Sequence, residues 1–305
     1  MSPDFERKLI GALGSDSILI AEPMALHTTF KIGGPADYLV RPTAVEQVRA
    51  VVDLCRDNGV DLRVIGLGSD LLVSDSGLRG VVMEIADNFS EINVDERGLV
   101  SAQAGASNAS VARAALEAGL SGYEFASGIP GTVGGAAIMN AGAYGGEFSD
   151  VALSCVCVTR EGDLLEVRAD QADWGYRHSR MDDEGMIVLA VLLQLVPGDK
   201  NEIQARMDDL AERRAAKQPL EMPSAGSTFK RPEGHYAGKL IQDAGLQGTA
   251  VGGAEVSKKH AGFVVNAGGA TAEDVRGLIG LIRDSVFDES GVRLEPEVRM
   301  WGFGR

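Results

Sequence analysis

Between Phe125 and Glu147 the chain reads FASGIPGTVGGAAIMNAGAYGGE, and this stretch limits what the rest can be. Glycine stands at 128, 131, 134, 135, 142, 145 and 146, alanine at 126, 136, 137, 141 and 143, and no long charged side chain occurs before Glu147. Glycine loses more conformational entropy on folding than any other residue. Such density is costly unless the backbone takes positive φ or approaches something closely. A segment rich in amide N–H groups and poor in bulky side chains can cradle a phosphate or diphosphate. The alternative for a glycine-rich segment is a flexible linker. Ile129, Val133, Ile138, Met139 and Tyr144 are placed for burial, and Pro130 stiffens the turn, so the stretch is read as a ligand-cradling loop.

A chain of 305 residues has room for two or three domains with a substantial core. The longest apolar run, Ile187 to Val196 broken by Gln194, is too short to span a membrane. The N-terminal MSPDFERKLI has no signal-peptide core, so a cytoplasmic location is expected. Three cysteines, an odd number, do not suggest a disulfide scaffold. Cys155 and Cys157 lie two apart in an alternating strand, which favours two core-facing thiols over a metal pair. No metal-ligand cluster is evident, and no metal is expected. A net charge of −15 opposes binding to nucleic acid or an anionic membrane. Between Arg213 and His260, however, eight Lys or Arg face four acids. This local excess suits a small anionic ligand; a solvated charged face is the alternative.

Residues 1–26 read as a weakly helical lead-in. Tyr38–Arg41 reads as a strand, and Thr43-Ala-Val-Glu46 has the form of a capping box opening a helix that stops at Gly59. The strand Leu62–Ile65 leads to the turn Gly66-Leu-Gly68-Ser69-Asp70, then to Leu71-Leu-Val and a strand from Gly80. This β-α-β order calls for a dinucleotide test, which the turn fails. Leu71 stands where the Rossmann fingerprint wants Gly or Ala, and no long amphipathic helix follows. No Walker P-loop motif occurs. The turn either binds phosphate through its amides and Ser69 or is simply tight.

Ser107 is expected to cap a helix ending at Gly119. Val151–Thr159 and Leu164–Arg168 read as a hairpin, and Ile187–Val196 as a buried strand. A charged helix at about 201–217 precedes a second loop, Pro223 to Pro232. A helix at 237–244, a strand at 262–266 and a helix capped by Thr271-x-x-Asp274 follow. The last segment, Val292 to Trp301, reads as an extended tail.

Four stretches together resemble one family, the UDP-N-acetylenolpyruvoylglucosamine reductases (MurB), flavoenzymes of bacterial peptidoglycan synthesis. They are Ser127-Gly-Ile-Pro-Gly-Thr-Val-Gly-Gly-Ala with Met139-Asn-Ala-Gly-Ala-Tyr144; Tyr176-Arg177-x-Ser179; Gly226-Ser227-x-Phe229-Lys230-x-Pro232; and Leu294-Glu-x-Glu297-Val298. Thr28-x-Phe30-Lys31-Ile-Gly-Gly-Pro and Gly68-Ser69-x-Leu-Leu extend the likeness, which spans roughly residues 27 to 303. Each piece is weak alone; the combination in order is specific.

The resemblance implies an α+β chain: a two-lobed FAD-binding region of the vanillyl-alcohol-oxidase (PCMH) type and a smaller α/β substrate domain. The expected divisions are 1–98 and 99–198 for the lobes, 199–291 for substrate and 292–305 for a strand returning to the active site. It implies FAD and NADPH as cofactors, a UDP-sugar substrate and no obligate protein partner. It also implies cofactor contacts at Gly66, Gly68, Ser69, Asp70, Leu71, Gly128, Ile129, Gly131, Thr132, Gly134, Gly135, Asn140 and Gly142. Arg177, Ser227 and Glu297 are the implied catalytic residues: Arg177 pairs with the substrate carboxylate, Glu297 orients it, and Ser227 donates the proton. Glu295, two residues from Glu297 and on the same face, is the competing carboxylate. Lys230 is positioned to help Ser227. Tyr176, Lys217, Lys230 and Arg231 are expected at the substrate, with the 258–260 cluster also a candidate for the diphosphate.

Three features depart from the family pattern. Asp70 stands where Asn is usual, and Arg231 where longer members have Asn. The short run from Arg177 to Ile187 matches the subgroup that lacks a tyrosine-bearing loop. Two rival readings are a flavin oxidase or dehydrogenase of the same fold acting on a small alcohol, and a non-catalytic flavin or nucleotide-sugar binder.

Overall fold

The computed structural model describes residues 3–304. The chain divides into two compact units. The first holds the chain up to Ile20, Tyr38–Leu67 and Gly80–Arg213; the second holds Ala21–Asp37, Gly68–Arg79 and the chain from Arg214 onward.

Pro3–Leu13 forms helix α1, with Phe5, Leu9 and Leu13 buried at helical spacing. Ile18–Pro23 then forms strand β1, so the expected helical lead-in is corrected at its second half. This strand lies at a sheet edge and exposes four of its six residues, which leaves no alternation to read. Pro35–Val40 is β2 and Val45–Asp57 is α2, burying Val48, Val51, Val52 and Cys55. The expected Thr43–Glu46 capping box does not form. Ala44 occupies the cap position, and Gln47 accepts instead from the Thr43 N–H (2.7 Å) and hydroxyl (3.2 Å). The helix starts one residue later than expected, which puts Gln47 rather than Glu46 within reach.

Leu62–Ile65 is β3, Leu71–Val73 is β4 and Leu78–Glu84 is β5. The first sheet has the order β1-β2-β5-β3, with β3 and β5 parallel. Ile92–Val94 (β6) and Leu99–Gln103 (β7) precede α3, Asn108–Ala118. As expected, Ser107 caps α3 by accepting from the Ser110 N–H, and Gly119 ends it in the left-handed conformation.

Leu120–Ser121 is β8. The glycine stretch is not a loop throughout: Val133–Met139 forms α4, followed by the short strands β9 (Gly142–Ala143) and β10 (Gly146–Glu147). Ala152–Val158 (β11) and Leu164–Arg168 (β12) form the expected hairpin. Arg180–Asp183 is α5, Ile187–Gln194 is β13 and Val196–Pro197 is β14. The second sheet has the order β12-β11-β13-β7-β6 and is antiparallel throughout.

Helix α6, Lys200–Lys217, leads to α7 (Ala237–Asp243). Ala250–Val251, Ala254–Val256 and Val264–Asn266 are β15, β16 and β17, an antiparallel sheet against which α8, Ala272–Ser290, packs. The β15–β16 hairpin was not foreseen, because its strands are too short to show a period. Thr271 and Asp274 form the expected capping box on α8. The extended tail resolves into β18, Arg299–Trp301, which pairs in parallel with β4.

Each unit has its own apolar core: one around Val100, Tyr123, Phe148 and β13, the other around Ile241, Val264 and the inner face of α8. Cys155 and Cys157 lie in the first and are fully buried, as their spacing implied. Burial pushes the Cys55 and Cys157 thiols up to about 12, and Cys155 higher still. The thiolate is the reactive form. A disulfide-exchange dye added to native protein at pH 8 should therefore label none of the three cysteines during mixing and all three in guanidinium. Rapid native labelling would contradict this packing.

Candidate active site

The ends of β3 and of the Gly128–Thr132 loop meet in the first unit. A Cβ built on Gly66 would lie 2.5 Å from Thr132 Oγ1 and 2.8 Å from its Cγ2. Thr132 is buried, and its hydroxyl accepts from the Gly135 N–H at 3.2 Å, capping α4. Two residues further, a Cβ on Gly134 would sit 2.7 Å from that of Ala104. These two glycines exist for close approach.

The loop's amides divide into two groups. Val133 donates to the Ala106 carbonyl (2.8 Å) and Gly134 to Ala104 (2.9 Å), so both are spent inside the protein. Ile129 is likewise spent on Ala126 (2.9 Å). The N–H groups of Gly128, Gly131 and Thr132 donate to no protein acceptor among the described residues. Three open donors, two of them on residues without a side chain, form a donor set that suits a diphosphate. The loop is held from beneath by Asn108. Its backbone N–H donates to the Gly131 carbonyl at 3.2 Å, while its buried side chain reaches the Ile129 and Gly131 carbonyls and accepts from Tyr123 Oη at 2.8 Å. Neither Asn108 nor Tyr123 was singled out from the sequence, because nothing local signals partners 15 to 23 residues away.

Arg177 belongs to a turn strapped to the far end of α4. Trp174 Nε1 donates to the Ala137 carbonyl (2.8 Å), Ser179 Oγ to Ile138 (2.7 Å) and Asn140 Nδ2 to Gly175 (3.2 Å). Asn140 ends α4 at φ +41° and also accepts from the Ser149 N–H at 2.9 Å. Arg177 donates to the Gly142 carbonyl at 3.4 Å, with its guanidinium 4.9 Å from the centre of the exposed Tyr176 ring. Asn140, Tyr144, Asp173 and Arg177 all have positive φ, at 41°, 54°, 46° and 55°. Strained backbone of this kind persists only where surroundings over-determine it, and it clusters at functional sites.

In the second unit, Ser227 is exposed on a loop fixed at both ends. Ser224 is bridged to Val265 on one side. On the other, buried Thr228 donates through its N–H to Gly262 (2.9 Å) and accepts from the Val264 N–H through its hydroxyl (2.9 Å). Residues 228–230 run antiparallel to 295–297: Glu297 N–H donates to the Thr228 carbonyl and Lys230 N–H to Glu295, both at 2.9 Å. Ser227, Lys230, Glu295 and Glu297 therefore belong to one two-stranded ledge. The Lys230 ammonium pairs with exposed Glu295 at 2.6 Å.

Gly68 has φ +58°, and a Cβ there would collide with the His27 carbonyl oxygen. Ser69 is half-buried, Leu71 buried in β4, and the Asp70 carbonyl accepts from the Arg299 N–H at 3.1 Å. Arg231 stacks 4.1 Å from the exposed Tyr236 ring centre and donates to the His235 carbonyl at 3.3 Å. Exposed Lys217 bears on His260, and Lys259 pairs with Glu221 at 3.7 Å. His260 Nδ1 accepts from the Gly262 N–H at 3.1 Å; burial first and the Lys217 charge second hold its pKa below the ordinary value.

Residues 218–301 match the family "UDP-N-acetylenolpyruvoylglucosamine reductase, C-terminal domain", and residues 36–168 match "FAD binding domain". The UDP-N-acetylenolpyruvoylglucosamine reductase of Agathobacter rectalis is 49% identical, with 99% of each chain covered. That of Clostridioides difficile is 46% identical, with 98% of each covered. Among solved structures, the Thermus caldophilus reductase is 36% identical with a TM-score of 0.79, covering 93% of this chain and 98% of its own. A glucose oxidase, Phl p 4, is 21% identical with a TM-score of 0.52 over 65% of this chain and 44% of its own, a likeness of fold alone.

Two outcomes follow from the packing. Gly66→Ala should destabilise the protein by ~1–3 kcal/mol, the usual range for overpacking. In a double-mutant cycle with Thr132→Ala, measured by urea unfolding, the two losses should sum to more than the double mutant shows; strict additivity would refute the contact. Its lowered pKa means that His260 binds a proton less tightly in the folded state than in the unfolded chain. Its contribution should be intact above 6.5, decline as pH falls, and level off below the folded pKa. His260→Gln should flatten the fall in Tm between pH 7 and 5.

Proposed function

The chain belongs to the UDP-N-acetylenolpyruvoylglucosamine reductase family, and on that premise we propose that it reduces UDP-N-acetylglucosamine enolpyruvate to UDP-N-acetylmuramate with NADPH and bound FAD. The observation that carries this reading is the ledge joining Ser227 to Glu297, a proton donor and a carboxylate for which a small-alcohol oxidase of the same fold has no need. The reaction is a step in making peptidoglycan precursors. We place it in the cytoplasm, with no obligate protein partner, nucleic acid or membrane; the acidic surface supports that placement.

The residues present fit the cofactor. The open amides of Gly128, Gly131 and Thr132 are assigned to the diphosphate, with Gly134, Gly135, Ile129, Asn140 and Gly142 shaping the segment around them. Gly66 keeps clear the approach to Thr132. Gly68, Ser69, Asp70 and Leu71 are assigned to the cofactor as well. Bound FAD supplies the hydride, drawn from NADPH, that the enolpyruvyl methylene carbon accepts.

Hydride addition leaves negative charge on the carbon bearing the carboxylate. Arg177 pairs with that carboxylate and draws off charge, for which a fixed guanidinium is well suited. Its turn is fixed through Gly142, Gly175 and Ser179. Glu297 hydrogen-bonds the same carboxylate and keeps its orientation. We assign this role to Glu297 rather than Glu295, because the stretch Leu294-Glu-x-Glu297-Val298 that resembles the family places Glu297 directly before Val298. Ser227 delivers the proton to the carbon. The Lys230–Glu295 pair weakens the acidifying effect of Lys230 on Ser227, since a paired charge shifts a neighbour less. Tyr176, Lys217, Lys230 and Arg231 are assigned to the UDP-sugar. We keep 1–98 and 99–198 as the cofactor lobes, 199–291 as the substrate region and 292–305 as the returning segment.

The test is anaerobic and sequential. NADPH should bleach the yellow protein, and the enolpyruvyl compound should restore the colour without oxygen. Ser227→Ala should bleach normally and recolour ~10²–10⁴-fold more slowly, the usual worth of a general acid. Undiminished recolouring would remove Ser227 from proton transfer. Bleaching without recolouring in the unaltered protein would overturn the assigned substrate.

A further inference from the structure

Thr29 touches two functional loops of the second unit at once. Its backbone N–H donates to the Gly68 carbonyl at 3.1 Å. Its hydroxyl lies 2.6 Å from the Ser224 carbonyl and 3.4 Å from that of Gly68. A threonine hydroxyl has a single proton, so the short contact to Ser224 takes it. One residue thus holds the Gly68 turn with its main chain and the Ser227 loop with its side chain, bridging separations of 39 and 195 residues.

The surroundings make this a rigid strap. Residue 68 has no room for a Cβ against the His27 carbonyl, so the 27–29 segment lies directly on the turn. Thr28 hydrogen-bonds the Ile32 carbonyl at 2.9 Å, and the Phe30 carbonyl accepts from Asn266 Nδ2 at 3.1 Å. Asn266 in turn donates its backbone N–H to Pro223 at 2.9 Å, immediately before Ser224. Beyond Ser224, Ala225 is buried and Gly226 takes φ +73°, carrying the chain outward to exposed Ser227. The loop's exit is fixed by Thr228. Its entrance depends on Ser224, whose carbonyl is where Thr29 binds.

We infer that Thr29 is a positioning residue for proton delivery: its hydroxyl holds Ser224, and through it Ser227, in register with the Gly68 turn. This rests on the function proposed above for Ser227 and the turn. Thr29 touches no reacting atom and acts through the Ser224 carbonyl. A proton donor displaced by a fraction of an ångström transfers poorly, and misplacements near 1 Å cost on the order of 10²-fold.

The test compares Thr29→Val, which keeps shape and backbone N–H but lacks the hydroxyl, with Thr29→Ser, which keeps the hydroxyl. In anaerobic rapid mixing, bleaching by NADPH should stay within about twofold in both variants. Recolouring by the enolpyruvyl ether should slow by ~10-fold or more in Thr29→Val, with a larger solvent deuterium isotope effect, and return to within about threefold in Thr29→Ser. In flavin-free protein, amide hydrogen exchange over residues 223–228 should quicken in Thr29→Val and not in Thr29→Ser, while α3 is unchanged. An unaltered recolouring rate in Thr29→Val, equal slowing of both half-reactions, or failure of serine to rescue would each overturn the inference. Unaltered protein that bleaches but is not recoloured would instead overturn the proposed reaction, and the exchange measurement would still decide whether Thr29 holds the loop.

Discussion

Thr132 fills the space that a side chain at residue 66 would need, and this contact sets the N-terminal end of α4 against the end of β3. Helix α4 is a poor helix by itself. Two glycines near its start cost about 1 kcal/mol each relative to alanine, and seven residues fall well short of the length at which an isolated helix persists in water. The Thr132 cap returns roughly 1 kcal/mol, which is not enough. Packing decides the matter: Val133, Ala136 and Ala137 are buried, and Gly134 lies directly on Ala104. The helix exists because the end of β7 and the end of β3 leave a slot that only a thin helix fits. The glycines that weaken it as a helix are what admit it to the slot.

The same economy of side chains leaves polar groups to be accounted for. At the start of α4 the chain just past β7 absorbs two amides through Ala104 and Ala106, and the loop before it keeps three open. At the other end, Asn140, Trp174 and Ser179 satisfy α4's last carbonyls or brace the turn behind them. Arg177 is therefore held by a network whose other members were selected for shape and hydrogen bonding. The strain at residues 140, 144, 173 and 177 is carried by this bracing and by the edge-to-face contact of buried Phe148 with half-buried Trp174.

The second unit solves a comparable problem with strands. Short antiparallel pairing of 228–230 with 295–297 sets Ser227 and Glu297 in one register, and alternation separates what the side chains do. Residues 295 and 297 share a face, so the sequence offered both as carboxylates. Lys230, directly across the pair, takes the outer one. An exposed ion pair of this sort adds little stability, yet it ties the Glu295 carboxylate to its neighbour across the pair.

Local chemistry was readable where partners are close in the chain. The Ser107 cap and Gly119 end of α3, the Thr271–Asp274 box of α8, the β11–β12 hairpin and the inward pair Cys155 and Cys157 all follow from spacings of a few residues. The helix start at Val45 was missed because Gln47 and Glu46 compete for one role within a single turn. Strand β1 and the β15–β16 hairpin were missed because edge position and brevity erase periodicity. By itself the sequence determined which stretches carry the family's chemistry and which residue types are on hand there. Only the tertiary structure decided which amides stay open, which glutamate Lys230 occupies, and that Asn108 and Thr29 brace functional loops. The reason is physical: a hydrogen bond is chosen by proximity in space, and the partners that matter here lie as far as 195 residues apart along the chain.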